Sequence, residues 1–147
     1  MAWLRTRDIK NGQITNDKLG SRVMHIKKFT YDFAVAGGAV SVITLTDDKG
    51  NAQTLPDNAV LLGATCEVIT GVTSGGGATL DFGYTGDPNY FLNAEGKASF
   101  DADGKAVKME LSTPTKLTAA KSVVMEIKVD TLTAGKLNVW VRYYQGD

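Results

Sequence analysis

One cysteine, one histidine and three prolines are all that this 147-residue chain holds of those residue types. Each scarcity excludes something. With Cys66 alone there is no intrachain disulfide framework and no thiolate metal cluster. His25 by itself is unable to build the usual zinc site, and no partnered nucleophile accompanies it. No apolar run approaches the roughly 20 residues that span a bilayer as a helix, so no membrane partner is expected. The opening MAWLRTRDIKNGQ has no apolar stretch behind its basic residues, which argues against a secretory signal. The chain is expected to be soluble and intracellular when made.

Net charge is absent too, because sixteen Lys/Arg balance sixteen Asp/Glu. That balance hides a division. Residues 1–28 hold seven basic side chains (Arg5, Arg7, Lys10, Lys18, Arg22, Lys27, Lys28) against Asp8 and Asp17, a net +5. The rest of the chain carries nine basic and fourteen acidic side chains, a net −5. A basic segment on an acidic body implies reach toward a charged partner. Within residues 1–22, Trp3, Leu4, Ile9 and Ile14 are spread among polar and basic residues with no helical or strand period. Asn11-Gly12 and Leu19-Gly20 break the segment further. We read it as an extended arm that orders on a partner rather than as a frayed terminus. Its partner-binding residues are Trp3, Leu4, Arg5, Arg7, Ile9, Lys10 and Ile14.

What the sequence does have is period-2 alternation. From Leu55 to Tyr84, Val60, Leu62, Ala64, Cys66, Val68 and Val72 fall in step, a strand with one buried face. Ser74 to Gly77 interrupt it, and Leu80, Phe82 and Tyr84 resume it, so the two runs read as a long hairpin. Phe29, Tyr31, Phe33 and Val35 alternate as an earlier strand, and Val40–Thr46 is a further β-branched run. Asp47–Asn51 is a turn cluster. Asp87-Pro88 reads as the start of a single helical turn or packed loop. Asp101-Ala102-Asp103-Gly104 lacks the later acidic ligands of a calcium loop and reads as a hairpin turn. Val107, Met109 and Leu111 then alternate up to Pro114. Two similar phrases, LTAAK (117–121) and LTAGK (132–136), each read as a polar turn feeding a strand: Val123 to Val129, then Leu137 to Tyr143.

Seven or eight short strands with no long helix define an all-β fold, an antiparallel β-sandwich or jelly roll over residues 23–147. The Cys…Trp…Cys signature of immunoglobulin domains is missing. On the last strand, Trp140, Arg142 and Tyr144 share the face opposite the core set. Leaving them in water is costly, so a loop or another subunit is expected to cover them. That makes them a candidate face for a homo-oligomer, trimer before dimer.

No catalytic constellation emerges, and no cofactor or metal is expected. Ser74-Gly75-Gly76-Gly77 lacks the Gly-Lys-Ser/Thr ending of a phosphate loop. Cys66 sits in an apolar strand set, where a small buried side chain belongs. Asp47-Asp48 lies in a turn, which suits Asp for backbone reasons. We therefore expect a binding or structural protein, not an enzyme.

The phrases LPDNAV (55–60), ATCEVIT (64–70), TSGGGATLDFGY (73–84) and LTAGKLNVWVRYYQGD (132–147) resemble those of small tailed-bacteriophage virion proteins. DIKNGQITNDKLGSR in the arm is similar to the NGQIT…KL phrases of phage tail and capsid accessory proteins. The resemblance implies a jelly-roll capsid decoration (cement) protein that binds and stabilises the shell of major capsid protein, with the arm supplying part of the anchor. Its place would be the capsid surface of the virion, after assembly in the host cytoplasm. Within that class the alternative is a tail, neck or fibre-associated protein. From another class, a carbohydrate-binding jelly roll competes, but Tyr31, Phe33, Phe82, Tyr84 and Trp140 fall on strand patterns instead of gathering in one loop. Nucleic acid is not expected as a partner, since an acidic body repels phosphates.

Overall fold

A strand with one apolar face needs a second layer to bury it against, and this chain supplies two sheets. The computed structural model describes residues 23–147, Ser112 through its backbone alone. Its strands are β1 (Met24–Asp32), β2 (Val42–Thr44), β3 (Thr54–Leu55), β4 (Ala59–Ser74), β5 (Thr79–Tyr84), β6 (Asp87–Gly96), β7 (Ala106–Lys116), β8 (Lys121–Lys128) and β9 (Leu132–Gln145). One sheet has the order β1-β9-β4-β7; the other runs β2-β8-β5-β6, with β3 also on β8. All pairings are antiparallel. The architecture is the expected jelly-roll sandwich. Phe29, Tyr31, Leu61, Cys66, Met109, Leu137 and Val139 of the first sheet face Leu80, Phe82, Met125 and Ile127 of the second, all at most 1% exposed.

The topology overturns the expected long hairpin. β4 pairs with β7 and β9, whereas β5 pairs with β6 and β8, so residues 75–78 carry the chain from one sheet to the other. Two strands that cross a sandwich bury one face each, just as two strands of a hairpin do. The alternation is the same in both cases. Among the described strands, only β5 and β6 are both consecutive and hydrogen-bonded, through the two-residue turn Thr85-Gly86. Asp101–Gly104 is likewise no hairpin turn, since it links β6 and a 3-10 turn (Lys97–Phe100) in one layer to β7 in the other. Its carboxylates are engaged, Asp101 by the Lys105 ammonium and Asp103 by the Gly71 N–H at 2.8 Å.

Facing along β4 is also corrected. Ala59 and Leu61 are buried, not Val60 and Leu62, while Ala64, Cys66, Val68 and Val72 point inward as expected. A register shift between Leu61 and Gly63 separates the two phases. One extra residue in a strand moves everything before it to the opposite face. Gly63, at φ 147°, takes the backbone conformation the bulge needs.

Three further elements differ from the sequence pattern. β1 stops at Asp32, whose carboxylate caps a helical turn over Phe33–Ala36 by accepting from the Ala34 N–H, leaving Val35 exposed. Residues 87–96 form a strand instead of a helical turn; Pro88 is tolerated because β6 lies at the sheet edge. The second phrase, 132–136, is no turn but the first part of β9, paired with the end of β4.

β6 is held to β5 by a buried carboxylate. Asp81 is fully buried, accepts from the Ala94 N–H at 2.7 Å and pairs with the Lys128 ammonium. Ala94 has a φ of 52°, and the β5–β6 register shifts there, between the Leu80–Glu95 and Phe82–Leu92 pairs. Asp81 therefore satisfies the donor that the irregularity leaves over. Its hydrogen bond is also the main reason the Lys128 ammonium holds its proton above the usual lysine range. Asp81→Ala should lower stability by about 2 kcal/mol by stranding that N–H, whereas Asp81→Asn, which keeps an acceptor, should recover roughly half. Urea titration of both variants checks this, and equal stability of Asp81→Ala and wild type would refute it.

Candidate functional site

The outer face of the β1-β9-β4-β7 sheet gathers the side chains that the core does not take. Register builds it in rows across the strands. Met24, Tyr144, Val60 and Lys116 stand in one row; Ile26, Arg142, Gly63 and Glu110 in the next; Lys28, Trp140, Thr65 and Lys108 in a third. Met24 and Ile26 are 54% and 56% exposed, Trp140 and Tyr144 36% and 37%. Trp140, Tyr144, Met24 and Arg142 are of the residue types enriched at protein interfaces, whereas the surrounding lysines are not.

Local contacts hold the patch in shape. The Trp140 indole N–H donates to Glu67 Oε2 at 3.0 Å, and the Lys28 ammonium lies 5.6 Å from the indole ring centre. Lys28 is itself paired with Asp48, which holds the Asp48 carboxyl below its usual range. Lys108 binds Glu110 at 2.5 Å and lowers that carboxyl in the same way. Arg142 differs. Its Nη1 donates to Thr65 Oγ1 at 2.9 Å, and no carboxylate among the described residues forms a salt bridge with it. Gly63 makes room for the guanidinium, since a Cβ there would lie 2.7 Å from Arg142 Nη2. The bulge glycine and the arginine form one feature.

Trp140, Arg142 and Tyr144 thus share one face, as the sequence indicated. Met24, Ile26, Lys28 and Gly63 join them, and sequence reasoning missed all four. Two signals were available: Met24, Ile26 and Lys28 alternate out of phase with Phe29 and Tyr31, and a glycine inside a strand pattern marks a bulge. Trp3, Leu4, Arg5, Arg7, Ile9, Lys10 and Ile14 lie outside the described residues. His25 stacks on Tyr143, with ring centres 5.3 Å apart. Cys66 is fully buried, as expected, and burial pushes its thiol up to about 12.

Among the described residues there is no group of three or more His, Cys, Asp or Glu side chains placed to hold a metal ion. Nor is any described helix long and apolar enough to cross a membrane.

No family model and no curated protein matches this chain. Solved structures do resemble it. A chain of the acidic stable capsid structure of Helicobacter pylori bacteriophage KHP30 aligns with a TM-score of 0.61 at 22% identity, covering 87% of this chain and 92% of that one. A chain of the Cyanophage Pam1 capsid asymmetric unit aligns at 0.59 and 18% identity, over 99% of both chains. A chain of the capsid of Ralstonia phage GP4 aligns at 0.63 and 22% identity, over 87% and 88%. At such identities the likeness is one of fold, and it extends over nearly the whole length of each chain.

Proposed function

We propose that this chain is a structural protein of a tailed-phage virion and works as a decoration (cement) protein on the shell of major capsid protein. The observation that carries this reading is the near full-length fold likeness to chains of three phage capsid structures. Two features favour it further: an outer sheet face with exposed aromatic, aliphatic and cationic side chains, and the basic composition of the segment that precedes β1 in sequence, β1 being an edge strand of that same sheet. Cementing needs no chemistry, so the protein is not an enzyme. Many modest contacts on one particle add up, because each bound copy stabilises its neighbours' boundaries as part of a multivalent set. Self-association, as a trimer before a dimer, belongs to the reading, since small repeated proteins assemble by closed symmetry.

The arm supplies part of the anchor. Basic and apolar side chains on a segment without period gain most on a pre-built acidic surface, and ordering costs part of that gain. Deleting residues 1–22 should leave the sandwich folded and weaken binding to undecorated capsids roughly tenfold, equivalent to about 1.4 kcal/mol. Charge reversal at Arg5 and Arg7 should reproduce much of the loss at low salt. The difference should shrink toward 1 M salt, where the Debye length is about 3 Å against about 10 Å at 0.1 M. Trp3→Ala should weaken binding at both salt concentrations. Co-sedimentation with undecorated capsids reads these effects, and light scattering reads the oligomer. Equal binding by full-length and truncated protein would leave the folded body as the sole anchor, and no binding by either would refute the cement reading.

A further inference from the structure

Resting on the reading just given, we infer that the outer face around Arg142 grips a segment of the shell protein that presents a carboxylate between apolar side chains. The argument is one of charge left over. The carboxylates on this face are already engaged, Glu110 by Lys108 and Glu67 by the Trp140 indole, while Lys28 holds Asp48 at its margin. Arg142 and Lys116 are the cations of this face that form no salt bridge with a described carboxylate; Lys116 donates to the Asp147 carbonyl, whereas Arg142 is held by a hydroxyl and feels Glu110 only at longer range. Its planar fork, seated over Gly63, is suited to a carboxylate that approaches with two oxygens. Around it stand Trp140 and Tyr144 along β9 and Ile26 across from it on β1, each partly exposed. Arginine between tryptophan and tyrosine is the composition of an interface hot spot. Covering those rings also covers the guanidinium, and a buried cation without a counter-charge is strongly unfavourable. The occupant therefore brings the acid with it.

A second copy of the same face is a poor occupant. Lys28, Lys108, Lys116 and Arg142 outnumber Glu67, Glu110 and the marginal Asp48 by one, and all three carboxylates are engaged, so a second copy would bring surplus cation and no free carboxylate to Arg142. The sequence pattern marked Trp140, Arg142 and Tyr144 for self-association; the charge on the face assigns them to the shell.

The test uses full-length protein and undecorated capsids. Arg142→Gln should bind the capsids at least about tenfold more weakly, with its melting temperature and its arm-dependent salt response unchanged. Arg142→Lys should recover only part of the affinity, since an ammonium does not offer the paired donors. Its new amine is also a probe. Carbodiimide should join it to a carboxylate in contact as an amide, and mass spectrometry should find the linked peptide in the shell protein. Wild-type affinity in Arg142→Gln would overturn the inference while leaving the cement reading intact. A link to a peptide of a second copy would overturn it as well, in favour of self-association. Capsid-bound Arg142→Lys protein that gives no link at that amine would also overturn it. Failure of the wild type to bind capsids would remove both readings together.

Discussion

Phe82→Ala should remove about 4 kcal/mol of stability, the largest single loss expected from the described core. Phe82 lies in the middle of β5, an inner strand of its sheet, where it is opposite Met125 on β8 and Leu92 on β6. Its side chain is fully buried, and its ring centre is 5.7 Å from that of Phe100. Truncation thus forfeits the transfer energy of a ring and leaves a cavity between two sheets that strand pairing keeps from closing. A domain of this size typically has roughly 5–15 kcal/mol in hand, so about a quarter or more of the total is at stake. The melting temperature should fall by roughly 12 °C at about 3 °C per kcal/mol. The urea midpoint should drop with its slope unchanged. Phe82→Leu, which keeps most of the volume, should cost about 1 kcal/mol. A loss below about 1 kcal/mol in Phe82→Ala would mean that the two sheets can collapse together, and that the ring does not wedge them apart.

The second large effect should appear at high pH. Burial foremost, and the neighbouring Glu67 charge next, push the Cys66 thiol from an ordinary 9.0 up to about 12. Tyr31, buried and donating to the Gly37 carbonyl at 2.8 Å, is pushed from 10.0 to about 12, first by burial and then by Asp32. In both cases the native state keeps a proton that the unfolded chain gives up. Stability is therefore fully present below pH 9 and falls as pH rises, first through the Cys66 window and more steeply above pH 10, where Tyr31 adds to it. Each proton contributes about 1.4 kcal/mol per pH unit, so by pH 11 the two groups together should cost about 4 kcal/mol.

Cys66→Ala separates the contributions. At neutral pH the variant should be less stable by about 1 kcal/mol. Its alkaline slope should be shallower by one proton, so its stability should draw level with wild type near pH 10 and exceed it by pH 11. Urea midpoints at pH 8, 10 and 11 check this. Identical slopes in the two proteins, or rapid labelling of the native thiol at pH 8, would show that the Cys66 side chain is not held in the core. On the proposed cement reading, capsid binding should not change, since Cys66 faces the core and not the exposed sheet face.

Class, layer count and most of the buried set were legible along the chain, because alternation is a local property. Phe29, Tyr31, Leu80, Phe82, Met125, Ile127, Leu137 and Val139 all read as inward, and all are buried. The clustering of Trp140, Arg142 and Tyr144 followed from the same period. Which strands pair was not legible, since a strand with one buried face carries the same pattern beside its neighbour in sequence or across a sandwich from it. That is why β4 and β5 read as a hairpin yet lie in different sheets.

Facing along the first part of β4 was hidden by one residue. The bulge before Gly63 inverts the period, and Val60 and Leu62 exchange sides with Ala59 and Leu61. β6 read as a loop because Asp87-Pro88 is as good a strand start at a sheet edge as it is a helix start. By itself the sequence determined an all-β chain with a basic N-terminal segment, an acidic remainder and a last strand with an aromatic outer face. Only the tertiary structure decided that β1 lies beside β9, which brings Met24 and Ile26 to Tyr144 and Arg142, and that Gly63 lies beneath the arginine. The physical reason is that a surface patch on a sheet is assembled across strands, by register between segments more than a hundred residues apart in one case and about eighty in the other. Composition and periodicity report only along a strand.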